Sequence, residues 1–194
     1  MLLLGADCVS PLRKPDMTHI IAPAKLTLSL KVIGVREDGF HLIDAEMVSL
    51  ELHDVLTITE GEMGMSVSGP FARGVPTDDS NLVTRALQLC GKTAHIRIEK
   101  NIPHGGGLGG GSSDAAAVLR WAGYSDYVAA SRLGADIPFC MHGGRARVTG
   151  IGEVLEPLPH VAREITLVVP PFGVSTPAVY KAFDSLHAQH DGPN

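Results

Sequence analysis

From Lys25 the run KLTLSLKV alternates apolar with polar positions. Leu26, Leu28, Leu30 and Val32 share one face, the two-residue period of a half-buried strand. Glu37, Asp38 and Gly39 make a turn, after which HLIDAEMVSLEL (41–52) and DVLTITE (54–60) read as two further strands and MSVSG (65–69) as a fourth. The period lengthens at NLVTRALQLC (81–90), where Asp78, Asp79 and Ser80 suit a helix N-terminus and Gly91 suits its end. AHIRIEK (94–100) returns to alternation. The alanines of SSDAAAVLRWA (112–122) favour helix, and Ser125 is placed to cap a short helix closed by Gly134. IPFC (137–140), RARVTG (145–150) and ITLVVPP (165–171) read as strand segments. A last helix begins near Thr176, a hydroxyl followed by Pro177 at the first helical position.

Composition narrows what this order can do. With 44% hydrophobic residues, a chain of 194 can bury one substantial core and part of a second. The net charge of −5 gives no general attraction for nucleic acid or an anionic membrane, so phosphate must be held by a local device. Cys8, Cys90 and Cys140 are odd in number and widely spaced, which suggests neither a disulfide framework nor a zinc site and makes a reducing cytoplasm the expected compartment. The opening MLLLGADCVSPLRKP lacks the basic start and cleavage site of a secretory signal. No run approaches the ~18 apolar residues of a membrane span. Residues 1–16 are read as a loose extension.

The most informative segment is PHGGGLGGGSSD, residues 103–114. Glycines at this density, entering a helix, cost backbone entropy that ordinary packing does not require. Successive N–H groups without side chains, together with the positive end of the helix, make a site for phosphate anions. Ser112 and Ser113 add hydroxyls. A flexible linker is the bland alternative, against which Pro103, Leu108 and the helix entry argue. Gly105, Gly107 and Gly110 formally satisfy GxGxxG, but in so glycine-rich a run that match is nearly automatic. A Walker A loop is excluded because no lysine follows the last glycine.

Two charged residues draw attention next. Lys25 sits between Ala24 and Leu26 in an apolar strand, where a charge is expensive unless paired or near solvent. Asp136 lies in the GAD turn, and on residue type alone a capping or turn role is the more natural reading.

PHGGGLGGGSSDAA resembles the second motif of the GHMP kinases, in the long form of their diphosphocytidyl-methylerythritol kinase branch. APAKLTLSLKVIGVREDGFHLI resembles the first motif, and GADIPFC and GIGEVLEPL resemble later blocks. The likeness spans about residues 20–186 and keeps the family's motif order. It implies an α/β (α+β) fold of the GHMP kinase N-terminal type, a mixed sheet with packed helices related to a ribosomal protein domain. That domain is expected over 17–158, with the start of an incomplete C-terminal domain over 159–194. The family's third glycine-rich motif has no counterpart here.

The implied reaction is phosphoryl transfer from ATP, with Mg2+ carried by the nucleotide, to the 2-hydroxyl of 4-diphosphocytidyl-2-C-methyl-D-erythritol. This small-molecule cytidine diphosphate alcohol is the implied partner; no nucleic acid or membrane is, and no motif speaks to oligomeric state. The resemblance assigns catalysis to Lys25 and Asp136, the aspartate as general base. It assigns nucleotide binding to Lys100, Pro103, His104, Gly105, Gly106, Gly107, Leu108, Gly109, Gly110, Gly111, Ser112 and Ser113. Substrate contacts fall on Thr27, Phe40, His41, Asn81, Thr176 and Tyr180, with Phe40 and Tyr180 sandwiching the cytosine and His41 on its polar edge. As alternatives, Phe40 and Tyr180 are core aromatics, Asn81 is a cap and Lys100 a solvated strand-end lysine.

Thr27 replaces the family's usual Asn and Phe40 its usual Tyr, and the connection from AAAVLRWAG to RLGAD is short. The rivals are another GHMP small-molecule kinase and a non-catalytic nucleotide-binding module.

Overall fold

The computed structural model describes residues 17–168, 173 and 175–188, without the side chains of residues 176, 177, 187 and 188. The expected extension over residues 1–16, Cys8 included, lies outside them. Strand β1 (Met17–Val35) and strand β2 (His41–Glu60) form a long antiparallel hairpin, in register from Met17↔Thr59 to Val35↔His41. Three bulges, between Pro23 and Lys25, Thr27 and Ser29, and Val32 and Gly34, bend β1 along the way.

The opposite edge of β2 is divided. Its residues 55–60 pair with β4 (Ala94–Glu99) and its residues 43–48 with β5 (Arg145–Gly150). β3 (Gly64–Ser68) adds in parallel to β4, and β6 (Val154–Pro157) adds antiparallel to β5, giving the order β3-β4-β2-β5-β6 with β1 beside β2. Between the two paired stretches, Ser49 N–H donates to the Gly144 carbonyl and Asp54 accepts the N–H groups of Asn101 and Ile102 as the chain leaves β4.

Helices α1 (Leu82–Cys90), α2 (Gly110–Trp121), α3 (Tyr127–Leu133) and α4 (Ile137–His142) pack together, α2 and α4 also touching β1. Ala115 through Leu119 of α2 are fully buried with Leu56, Ile58, Ile96, Ile98 and Phe139. Small alanines let α2 sit close to the sheet while Val118 and Leu119 fill volume. Helix α5 (Thr176–Ala188) begins where the hydroxyl and proline predict.

Several expectations need correction. Residues 41–60 form one strand rather than two, because β1 runs beside them and keeps the ladder through His53↔Pro23 and Asp54↔Ala22. IPFC is the helical α4, with Pro138 in its first turn, where no N–H is missed, and Cys140 N–H donating to the Asp136 carbonyl at 3.0 Å. Helix α3 is capped by Asp126, whose Oδ1 accepts from Ala129 N–H at 2.9 Å, not by Ser125.

Residues 165–168 of ITLVVPP carry no strand, since no strand among the described residues supplies a ladder; residues 169–171 lie outside the described part. Leu28 and Leu30 are 40% and 49% exposed, so the expected apolar face of β1 is not covered at these two positions.

Candidate active site

Strand β4 ends at Glu99, and the chain then crosses to α2 through the glycine loop. Leu108 pins that loop: its side chain is buried with Ala24 and Ile102, and its carbonyl accepts from Lys25 N–H at 2.9 Å. Gly105, Gly107 and Gly109 hold φ of +69°, +69° and +66°, which side-chain-bearing residues rarely adopt. Gly109 has a second reason to lack a side chain. A Cβ there lies 2.8 Å from Lys25 Cγ, so the loop rests directly on the lysine stem.

No side chain caps the N-terminus of α2. Its first-turn N–H groups and the exposed glycines 105–107 therefore present donors and a positive dipole end at one place. Ser113 is not part of that surface; its buried hydroxyl donates to the Pro23 carbonyl at 2.6 Å, tying α2 to β1. Ser112 is half-buried and Pro103 partly so, while exposed His104 bonds the Phe71 carbonyl.

Below the loop, Lys25 Nζ lies 3.0 Å from Asp136 Oδ2 and donates to Thr27 Oγ1 at 3.3 Å. The Lys25 side chain is 10% exposed and that of Asp136 31%, so the pair opens to solvent on the carboxylate side. Asp136 precedes α4 yet makes no side-chain cap bond. Its carboxylate is thereby left to Lys25. Sequence reasoning passed over Gly152 in the β5–β6 turn: a Cβ there falls 2.3 Å from the Ala135 carbonyl oxygen, so this glycine lets the turn press against the GAD segment. Burial foremost, then the nearby Asp136 charge, pushes the Cys140 thiol up to about 12, which makes it an inert packing group.

Lys100 is not a solvated strand-end residue. It is 2% exposed, and its Nζ donates to Asp114 Oδ2 at 2.6 Å and to Asp54 Oδ2. Asp54 also accepts from Asn101 N–H at 2.5 Å and Ile102 N–H at 2.9 Å. Burial raises the Asp114 carboxyl to about 7 against the opposing pull of Lys100. Neither aspartate was singled out from sequence. The available signal was a lone charge in each apolar stretch, Asp54 between Leu52 and Leu56 and Asp114 ahead of three alanines.

A second cluster brings distant residues together. His41 stacks on Tyr180 with ring centroids 4.6 Å apart and 26° between planes, and its Nε2 lies 2.6 Å from Asp184 Oδ1. Phe183 meets the same imidazole edge-on at 6.4 Å. The ring stacked on Tyr180 is that of His41, and Phe40 is 57% exposed. Burial and then the charge of Asp136 raise the pKa of the Tyr180 hydroxyl.

Asn81 is absorbed by structure at both ends of its amide, accepting from Val83 N–H at 2.8 Å and donating to the Pro76 carbonyl at 2.6 Å. The Thr176 side chain lies outside the described part. A cleft of about 850 Å³ between residues 46–52 of β2 and residues 160–167 includes neither Lys25 nor Asp136.

Residues 81–144 match the GHMP kinases N terminal domain. A 4-diphosphocytidyl-2-C-methyl-D-erythritol kinase of Paracoccus denitrificans is 48% identical over 173 residues, covering 89% of this chain and 62% of the relative. One from Clostridium botulinum is 42% identical over 184 residues, covering 86% and 65%. A crystal structure of 4-(cytidine 5'-diphospho)-2C-methyl-D-erythritol kinase superposes with TM-score 0.63 at 36% identity, over 85% of this chain and 64% of that one. The chain thus spans a little under two thirds of the length of these relatives.

Proposed function

Because this chain carries the N-terminal domain of the GHMP kinases, we propose that it takes part in phosphoryl transfer from ATP to the 2-hydroxyl of 4-diphosphocytidyl-2-C-methyl-D-erythritol. This would be a step of the non-mevalonate route to isoprenoid precursors, in the cytoplasm. The observation that carries the proposal is the Lys25–Asp136 pair at 3.0 Å, lying under a glycine loop that rests on the lysine stem.

Phosphoryl transfer asks a protein mainly for alignment and charge neutralisation. The loop N–H groups and the α2 N-terminus suit the phosphates of ATP, and among the described residues nothing lies within 4 Å of where a Gly107 Cβ would sit. Magnesium carried by the nucleotide would offset its phosphate charge. Asp136, free of a capping duty, accepts the proton of the attacking hydroxyl. Lys25, held by Asp136 and Thr27, fixes the carboxylate and offsets charge building on the transferred group. His41, Tyr180 and Phe183 form an aromatic corner suited to a flat base, with Asp184 orienting the imidazole.

The test pairs Asp136→Asn with a comparison of acceptor alcohols. Turnover with the diphosphocytidyl alcohol is expected to fall by roughly 10² to 10⁴-fold, the usual cost of losing a general base, with nucleotide affinity little changed. Near-normal turnover in the folded variant removes Asp136 from that role. Preference for an alcohol without a cytidine group makes the protein a different small-molecule kinase.

A further inference from the structure

Two carboxylates and one ammonium are buried together where the glycine loop starts and where it ends. Asp54, Lys100 and Asp114 are 0%, 2% and 3% exposed. Asp54 uses Oδ1 to accept the N–H groups of Asn101 and Ile102, the second and third residues after β4, and Oδ2 to accept from Lys100. Asp114, in the second turn of α2, accepts from Lys100 through Oδ2, and its buried Oδ1 has no hydrogen-bond partner among the described residues. The cluster lies immediately beneath the point where loop becomes helix: a Cβ on Gly110 falls 3.3 Å from Lys100 Nζ.

Such an arrangement is a poor way to gain stability. Burying three charges costs several kcal/mol per ion, and apolar replacements of buried pairs are often neutral or stabilising. What it supplies is geometry. One end of the loop is bonded by Asp54, the other by Asp114, and Lys100 joins the two. With both carboxylates on its ammonium and little exposure, Lys100 is directed inward rather than toward a ligand on the open side of the loop.

We propose that Asp54, Lys100 and Asp114 form a positioning cluster that fixes the two ends of the glycine loop at the spacing nucleotide phosphates require, so that Lys100 acts through the loop and not by touching the nucleotide. This rests on the kinase reading for the identity of the ligand, but the clamp itself concerns only the loop. The loop's seat has a reporter of its own, the Lys25 N–H bonded to the Leu108 carbonyl.

Asp54→Asn keeps the side chain's size but turns an amide N–H toward Lys100. Asp114→Asn is the milder variant, leaving Asp54's grip and removing one buried charge, and it keeps the test open if the first fails to fold. In each folded variant, Kd for a non-hydrolysable ATP analogue with Mg2+ and Kd for CDP are measured by calorimetry, alongside amide hydrogen exchange. The expected result is at least a tenfold loss for the ATP analogue and less than a twofold change for CDP. Exchange at Lys25 N–H should rise tenfold or more, while the amides of β4 keep their protection. Lys100→Arg, which retains the charge, should recover more of the analogue affinity than Lys100→Met.

Parallel loss of both ligands, or unchanged affinity for both, overturns the proposal. If the unmodified chain binds neither ligand, the kinase reading fails, and the exchange data alone decide: a Lys25 N–H indifferent to Asp54→Asn and Asp114→Asn shows that nothing is being clamped.

Discussion

Gly109 and Gly107 share nearly the same left-handed backbone, φ +66° and +69°, but differ in what lies beside them. An added Cβ at Gly109 meets Lys25 Cγ at 2.8 Å, whereas at Gly107 nothing among the described residues lies within 4 Å. Backbone strain is common to both substitutions, of order 1 kcal/mol, so any difference between them reports displacement of the lysine. Gly109→Ala is expected to reduce phosphoryl transfer at least tenfold more than Gly107→Ala, measured at saturating ATP. Equal losses would mean that the loop's backbone, not its seat on Lys25, is what matters.

Asp114 makes a second prediction. Its carboxyl is raised from 3.8 to about 7 by burial, so between those values the folded protein binds a proton that the unfolded chain has lost. Stability attributable to this group is therefore fully present below pH ~4 and is lost as pH rises through about 7. In Asp114→Asn that fall should be absent. Urea midpoints measured across pH 5 to 8 check it, against a wild type whose midpoint declines over the same interval.

Among the elements, α1 follows its sequence most closely. Asn81 accepts from Val83 N–H, and Gly91 closes the helix with φ +64°, its N–H reaching the Leu87 and Gln88 carbonyls. Asn81→Ala should cost about 1 kcal/mol of stability through the lost cap, more if the Pro76 carbonyl is left unpaired, and urea titration measures it. Helices announced by caps and strands set off by turns were legible because their signals are local. IPFC misled because four apolar residues suit a buried strand or a buried helix equally, and only Pro138 in the first turn hinted at the latter. The single length of β2 was hidden for the opposite reason: His53 and Asp54 look like a break, and what carries the ladder across them is β1, far away in sequence.

The candidate site divides along the same line. Lys25, Asp136 and the glycine loop stood out by motif, and the fold brings them together. The contacts that shape the site did not stand out, because each depends on residues distant in sequence. Asp54 reaches Lys100 across the sheet, Gly152 meets Ala135, and His41 finds Tyr180 and Asp184. A lone aspartate in an apolar run announces that something must neutralise it; it does not say which cation will.

For the molecule as a whole, the divided edge of β2 bears on the order in which the chain assembles. Its pairing with β1 closes through residues 36–40, whereas β4 and β5 must arrive from much later positions. Bringing distant segments together costs more chain entropy than closing a short turn, and that cost precedes the reward of contact. The β1–β2 ribbon is thus the template on which both halves of the sheet grow, and the loop with its buried charges can close only after β4 has docked. In stopped-flow refolding, Ala22→Gly in the ribbon should chiefly slow folding. Val148→Ala in β5 should chiefly speed unfolding. The reverse pattern would show that the ribbon waits for its partners.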